Sequence, residues 1–229
     1  MKAIGILGGT SWPSTMSPYR LLNEDVARRL GGHHSARITL YSIDYDPIKS
    51  LYHHGWDRIP GLLKDELEQL LALKPDGFMI ANNTLHKAYD RIDAELAPKV
   101  PIFHAARLVR EELKKSSKKA LFLGTSLTME DDFYTGPLRS AGIELMIPDP
   151  QERADIQSAQ SRLAKGEPAD AAMAAFFTSL LARYQGQGCA SAVLACTELP
   201  LAIDNSLTSM ALIDPLVLQC RAAVDFALG

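Results

Sequence analysis

Cysteine is scarce in this sequence. Cys189, Cys196 and Cys220 are the whole supply in 229 residues, too few and too scattered for a disulfide framework, and no CxxC or HExxH spacing points to a metal. The pairs His33–His34 and His53–His54 do not supply one, because adjacent side chains point in different directions on most backbones. Basic tracts are missing too. Against 27 Asp and Glu stand 24 Lys and Arg, a net charge of −3, with no stripe of positive charge to hold nucleic acid. Glycines interrupt the apolar run of MKAIGILGG short of a secretion signal or a membrane span, so the expectation is a cytoplasmic protein without a membrane partner. GILGGTS has neither GxGxxG nor GK[ST], which removes the dinucleotide fingerprint and the P-loop. No lysine stands out as a Schiff-base partner for pyridoxal phosphate, and a tight glycine turn suits a small carboxylate better than a cofactor.

What is present is alternation. Residues 3–8, 37–43, 77–81, 101–104, 119–123, 143–147 and 191–195 are short apolar runs bounded by Gly, Pro or polar residues. Helical patterns lie between them. Ser17-Pro18 reads as a cap and first turn, with Gly31 as the stop, predicting a helix over 18–30. Leucines at 62, 63, 67, 70 and 71 predict an amphipathic helix over 60–73, and another helix follows Pro215. Strand–helix alternation of this kind indicates α/β architecture with mostly parallel sheets flanked by helices.

The chain also repeats itself. IGILGGTS (4–11) is echoed by ALFLGTS (120–126), and GFMIANNT (77–84) by SAVLACTE (191–198). Gly9 and Gly124 are 115 positions apart, Asn82 and Cys196 are 114 apart, and both offsets are close to half the chain. Two pseudo-symmetric lobes follow: 1–98, with 210–229 returning to it, and 99–209. Ligands of parallel sheets bind beyond the carboxyl ends of the strands, so all four motifs are expected to face one cleft, with Asn82 opposite Cys196.

Cys196 stands directly after a buried strand and before Thr197 and Glu198. A thiol there can exchange protons with a substrate if its neighbours tune it. Cys189, in a Gly/Gln turn, and Cys220, in an apolar helix, read as structural. Asn82 offers hydrogen bonds but no acid–base equilibrium near neutral pH. His86, four residues on, is a candidate for recruitment or a structural residue of the helix start.

Taken together, GILGGTSWPST, GGHHSA, NNTLHK, LGTSLTMEDDFY and LACTEL resemble the aspartate/glutamate racemase family, most closely its broad-specificity amino-acid racemase branch. The likeness runs through the whole chain in order. It implies two Rossmann-like lobes with the active site between them and a mechanism without a cofactor. In the implied mechanism one thiolate takes the α-proton and a second thiol returns one on the opposite face. Cys196 matches the second-lobe catalytic cysteine. The first-lobe cysteine of the family's CNTxH motif is Asn82 here. Asn83, Thr84, Thr197, Thr10, Thr125 and Thr128 match groups that hold the substrate's carboxylate and amino ends, and Glu198 completes the CTE motif among the substrate-binding residues. The arginine that grips a distal carboxylate is absent from SIDYDPI, and Lys165 is the candidate substitute. The expected protein is a cofactor-independent isomerase acting on a small amino-acid or dicarboxylate substrate with Cys196 as sole thiol, and it is expected to be a homodimer. The alternatives are a one-cysteine decarboxylase or isomerase of the same superfamily, and a paralogue that binds an amino acid without turning it over.

Overall fold

The computed structural model describes residues 1–116 and 119–229. The chain divides into two units, Met1–Ala105 with Gln219–Gly229, and Ala106–Leu218. The divisions fall later than 98/99 and 209/210 for a reason of strand pairing. Ile102 bridges to Phe78, which holds 99–105 in the first unit, and residues 211–213 form a strand of the second.

The first unit runs β1 (Ile4–Gly8), α1 (Trp12–Leu30), β2 (Ile38–Ser42), a short α2 (Asp46–Lys49), α3 (Ile59–Ala72), β3 (Gly77–Ile80) and α4 (Leu85–Leu96). Its sheet is parallel, in the order β2-β1-β3. Every residue of β1 and β3 is buried, which is why these strands read as continuous apolar runs rather than as alternation. Leu63, Leu67 and Leu70 of α3 are fully buried beside Leu7, Phe78 and Ile80, each contributing about 1.5–3 kcal/mol by leaving water.

Helix α1 starts earlier than residue 18. Ser11 is its N-cap residue and Pro13 lies in its first turn, while Pro18 sits inside the helix. Both Ser-Trp-Pro and Ser-Pro carry a start signal. The earlier one is used: the first helical bond runs from Thr15 N–H to Ser11 O at 2.9 Å, and the hydroxyls of Ser14 and Thr15 donate to the same carbonyl at 3.2 and 2.7 Å.

The second unit follows with α5 (Ala105–Ser116), β4 (Lys119–Gly124), α6 (Ser126–Glu130), α7 (Asp132–Ser140), β5 (Glu144–Met146), α8 (Pro150–Ala164), α9 (Ala171–Gly186), β6 (Ser191–Ala195), β7 (Ala211–Ile213) and α10 (Pro215–Leu228). Its sheet is also parallel, ordered β5-β4-β6-β7. From Gln219 onward α10 belongs to the first unit, where Lys2 N–H donates to Ala227 O and Arg29 pairs with Asp225.

The internal repeat is a repeat of register. Leu7 pairs with Ile80 in the first sheet and Leu123 with Leu194 in the second, so Asn82 and Cys196 each stand two residues past an equivalent pair. The first turn carries one glycine more. Gly9 has φ 90°, and a Cβ there would approach Ile43 O to 2.2 Å, so no other residue fits. Among the described residues no helix is long and apolar enough to cross a membrane.

Candidate active site

The apolar strand β6 ends at Ala195, and the next three residues form a buried polar turn. Cys196 Sγ donates to Glu198 Oε2 at 2.9 Å, and Thr197 Oγ1 donates to the same oxygen at 3.1 Å. Cys196 is 5% exposed and Glu198 4%. Backbone bonds from Leu199 N–H to Cys196 O and from Leu201 N–H to Glu198 O close the turn and hold the two side chains together. Both donors converge on one carboxylate oxygen, which places a potential proton acceptor within hydrogen-bond reach of the thiol. The site residues Cys196, Thr197 and Glu198 therefore form one hydrogen-bonded group.

A second group lies at the end of β4. Thr125 caps α6, accepting from Thr128 N–H at 3.2 Å, and its hydroxyl is 2.8 Å from that of Thr128. Thr128 is fully buried, so it orients Thr125 from below. Ser126 N–H is taken by Gln157 Oε1 at 3.0 Å. Lys165 belongs to neither group. It is exposed at the C-cap of α8. Farther back along α8, Glu152 accepts from the Tyr184 hydroxyl at 2.9 Å and Gln157 holds Ser126.

In the first unit Thr10 Oγ1 donates to Ala81 O at 3.3 Å, which gathers Thr10 beside Asn82 and Asn83. The amide of Asn82 is occupied by structure: its Oδ1 accepts Leu85 N–H at 2.9 Å and caps the start of α4. Asn83 and Thr84 are buried, and Asn83 Oδ1 has no hydrogen-bond partner. The same holds for Ser11 Oγ at the end of β1, a residue that sequence reading passed over although it stands inside the repeated Gly-Thr-Ser. An unmade hydrogen bond at a buried polar atom costs about 1–3 kcal/mol, a cost that a bound polar ligand relieves. The glycine turn does not present all its amides to a ligand, because Gly9 N–H is used by Thr15 Oγ1 at 3.0 Å.

His86 is structural. Ala105 N–H can only donate, so His86 Nε2, 3.2 Å away, accepts; Nδ1 then carries the hydrogen and donates to Asn82 O at 2.9 Å. Burial, and secondarily the His104 ring, holds its pKa well below the ordinary histidine value. A neutral imidazole with both nitrogens engaged is not an acid or base for substrate. Among the described residues no group of three or more His, Cys, Asp or Glu is placed to hold a metal ion.

A family model described as Asp/Glu/Hydantoin racemase matches residues 7–225. Among solved structures the chain is similar to a Yersinia pestis protein provisionally designated an Asp/Glu racemase. That match has 32% identity over 100% of both chains and a TM-score of 0.87. An aspartate racemase homologue from Pyrococcus horikoshii OT3 matches at 27% identity over 100% of both chains, with a TM-score of 0.82. The aspartate racemase of Picrophilus torridus shares the fold, with 23% identity over 99% of this chain and 94% of that one and a TM-score of 0.77.

Proposed function

Because the chain belongs to the Asp/Glu/hydantoin racemase family, we propose that it moves a proton at Cα of a small acidic amino acid, without a cofactor, through the single thiol of Cys196. The observation that carries this reading is the buried contact of Cys196 Sγ with Glu198 Oε2. Glu198 takes the thiol proton, and the thiolate removes the α-proton of the substrate. The returning proton follows the reverse route. Thr197 orients the Glu198 carboxylate by donating to the same oxygen. Thr10, Asn83, Thr84 and Thr125 serve the carboxylate and amino groups of the substrate, and the unpartnered Oδ1 of Asn83 suits an ammonium donor. Lys165 serves the distal carboxylate of an aspartate- or glutamate-like substrate, supported by its exposed position along α8. The active species is a homodimer, and the exposed apolar stripe Trp12, Met16 and Tyr19 on α1 suits its interface.

One observation favours a second reading. Asn82 is committed to capping α4 and His86 to the backbone, so neither supplies a second acid–base group. A decarboxylase or isomerase that protonates one face of an enolate needs one thiol. The test is incubation with each L- and D-amino acid in D₂O, following Cα deuterium and chirality by NMR and assaying released carbon dioxide. Deuterium at Cα of aspartate or glutamate supports proton transfer. Carbon dioxide release transfers the assignment to the lyase, and binding without either leaves an amino-acid-binding paralogue.

A further inference from the structure

A parallel ladder that bridges Phe78 to Ile102 should continue one step further, joining Ile80 N–H to Phe103 O and Ala105 N–H to Ile80 O. Pairing stops short of that step. Phe78 N–H donates to Pro101 O at 3.0 Å and Phe103 N–H to Phe78 O at 2.8 Å, and the bridge is isolated. Side chains take over the missing step. Gln219 Nε2 donates to Phe103 O at 2.7 Å and to Ile80 O at 3.3 Å, and the residue is buried. Ala105 N–H goes to His86 Nε2.

The chemistry explains the residue types. A carboxamide is a neutral group with two hydrogens on one nitrogen, so it can satisfy two buried carbonyls at once. A neutral imidazole joins one acceptor to one donor, and His86 uses them on Ala105 N–H and Asn82 O. Ending the ladder here lets the chain leave the sheet on both sides, into α5 at Ala105 and into the Asn82–Thr84 turn after Ile80. The two substituting side chains also lie beside both points at which the chain passes between units, Ala105–Ala106 and Leu218–Gln219.

We propose that Gln219 and His86 are positioning residues that set the geometry of the Asn82–Thr84 turn and act on substrate through it; this rests on the function proposed above. Gln219→Met keeps the length of the side chain and removes both donors. His86→Asn places an amide N–H near the Nδ1 position and keeps the bond to Asn82 O. His86→Gln instead places an acceptor near Nε2 and keeps the bond to Ala105. With L-aspartate and L-glutamate in D₂O, Gln219→Met and His86→Gln should raise KM for Cα exchange about 10- to 100-fold. Turnover per folded molecule should change less, and His86→Asn should restore KM toward the wild type. Wild-type KM in folded Gln219→Met and His86→Gln would overturn the proposal. So would a loss confined to kcat in proportion to the unfolded fraction.

The outcome stays distinguishable if wild type exchanges no Cα proton at all. That result rejects the proposed function, and the positioning role is then read from amide hydrogen exchange. Leu85 N–H, bonded to Asn82 Oδ1, reports the turn. Its protection should fall by about tenfold or more in Gln219→Met and His86→Gln, with the amide of Ile6 in β1 unaffected. Unchanged protection at Leu85 in both variants would overturn the positioning role.

Discussion

The thiol of Cys196 and the carboxylate of Glu198 share a proton-transfer distance, 2.9 Å between Sγ and Oε2, inside a turn that excludes water from both. Glu198→Gln keeps an acceptor for the thiol but removes the proton acceptor. Cα deuteration should fall by about 10²–10⁴-fold. A pair that works as one unit predicts that Cys196→Ser with Glu198→Gln is little worse than either alone, as single-turnover exchange rates would show. Additive losses would mean that the two side chains act separately.

The three cysteines should separate cleanly. Cys196→Ser should remove nearly all exchange with the fold intact by circular dichroism. Cys189 is buried, its thiol pKa pushed up by that burial, and Cys220 is buried in α10, so Cys189→Ser and Cys220→Ser should retain turnover. Loss of exchange in a folded Cys189→Ser protein would reassign the working thiol.

Much of this arrangement was legible in the sequence, and the exceptions have physical causes. β1, β3, β4 and β6 are buried on both faces, so each reads as an apolar run between turn residues. Residues 101–104 looked the same but form only an isolated bridge, because Gln219 occupies the carbonyls at which the ladder would continue. β7 escaped notice because it is three residues long and starts with an exposed alanine. Cys196 and Glu198 are two residues apart, so their contact lay within reach of motif reasoning. Gln219 is 139 residues from Ile80, and no local pattern announces a side chain that ends a sheet so far away.

Asp214 gives a pH dependence of known sign. It stands at the end of β7, where its carboxylate accepts Leu216 N–H at 2.8 Å, and burial raises its pKa from 3.8 to about 6. A carboxyl whose folded pKa exceeds its unfolded one binds extra protons in the folded state. It therefore destabilises the fold at high pH, and the penalty disappears as pH falls through 6 toward 4. His86 works in the opposite direction, since its lowered pKa costs stability as pH falls below the ordinary histidine value. Asp214→Asn keeps an oxygen for the cap and isolates the carboxyl. Its Tm should exceed that of wild type above pH 7, by an amount corresponding to about 1–3 kcal/mol, and converge on it near pH 4. A constant difference across pH 4–8 would exclude Asp214 as the cause.

Trp12, Met16 and Tyr19 recur at helical spacing on α1, and their exposures of 70%, 55% and 48% leave an apolar stripe uncovered in the single chain. If that stripe joins two copies, Met16→Glu should shift sedimentation from dimer to monomer at micromolar concentration with an unchanged far-UV spectrum. A dimer that survives Met16→Glu together with Tyr19→Glu would place the interface elsewhere.

The last expectation concerns Asn82, at the position in the first sheet that Cys196 occupies in the second. With one thiol, wild type should exchange the α-hydrogen of one enantiomer and barely that of its mirror image. Any inversion then depends on a proton from water, so racemisation should be slow; the equilibrium between enantiomers cannot move, because a catalyst lowers both barriers together. Asn82→Cys restores a thiol and should raise inversion in both directions, with exchange from both faces. The change also removes the acceptor that caps α4 at Leu85 N–H. That loss should cost about 1 kcal/mol, or about 2–4 °C in Tm. Asn82→Ser is the control, since it keeps a capping oxygen without a thiol and should gain no inversion. Each protein is incubated with pure L- and D-aspartate in D₂O, and Cα deuterium and chirality are followed separately. Equal, rapid exchange of both enantiomers by wild type would require a second base that is neither Asn82 nor the hydrogen-bonded His86. No gain in folded Asn82→Cys would favour the one-thiol lyase, in which only one face of the substrate is ever protonated.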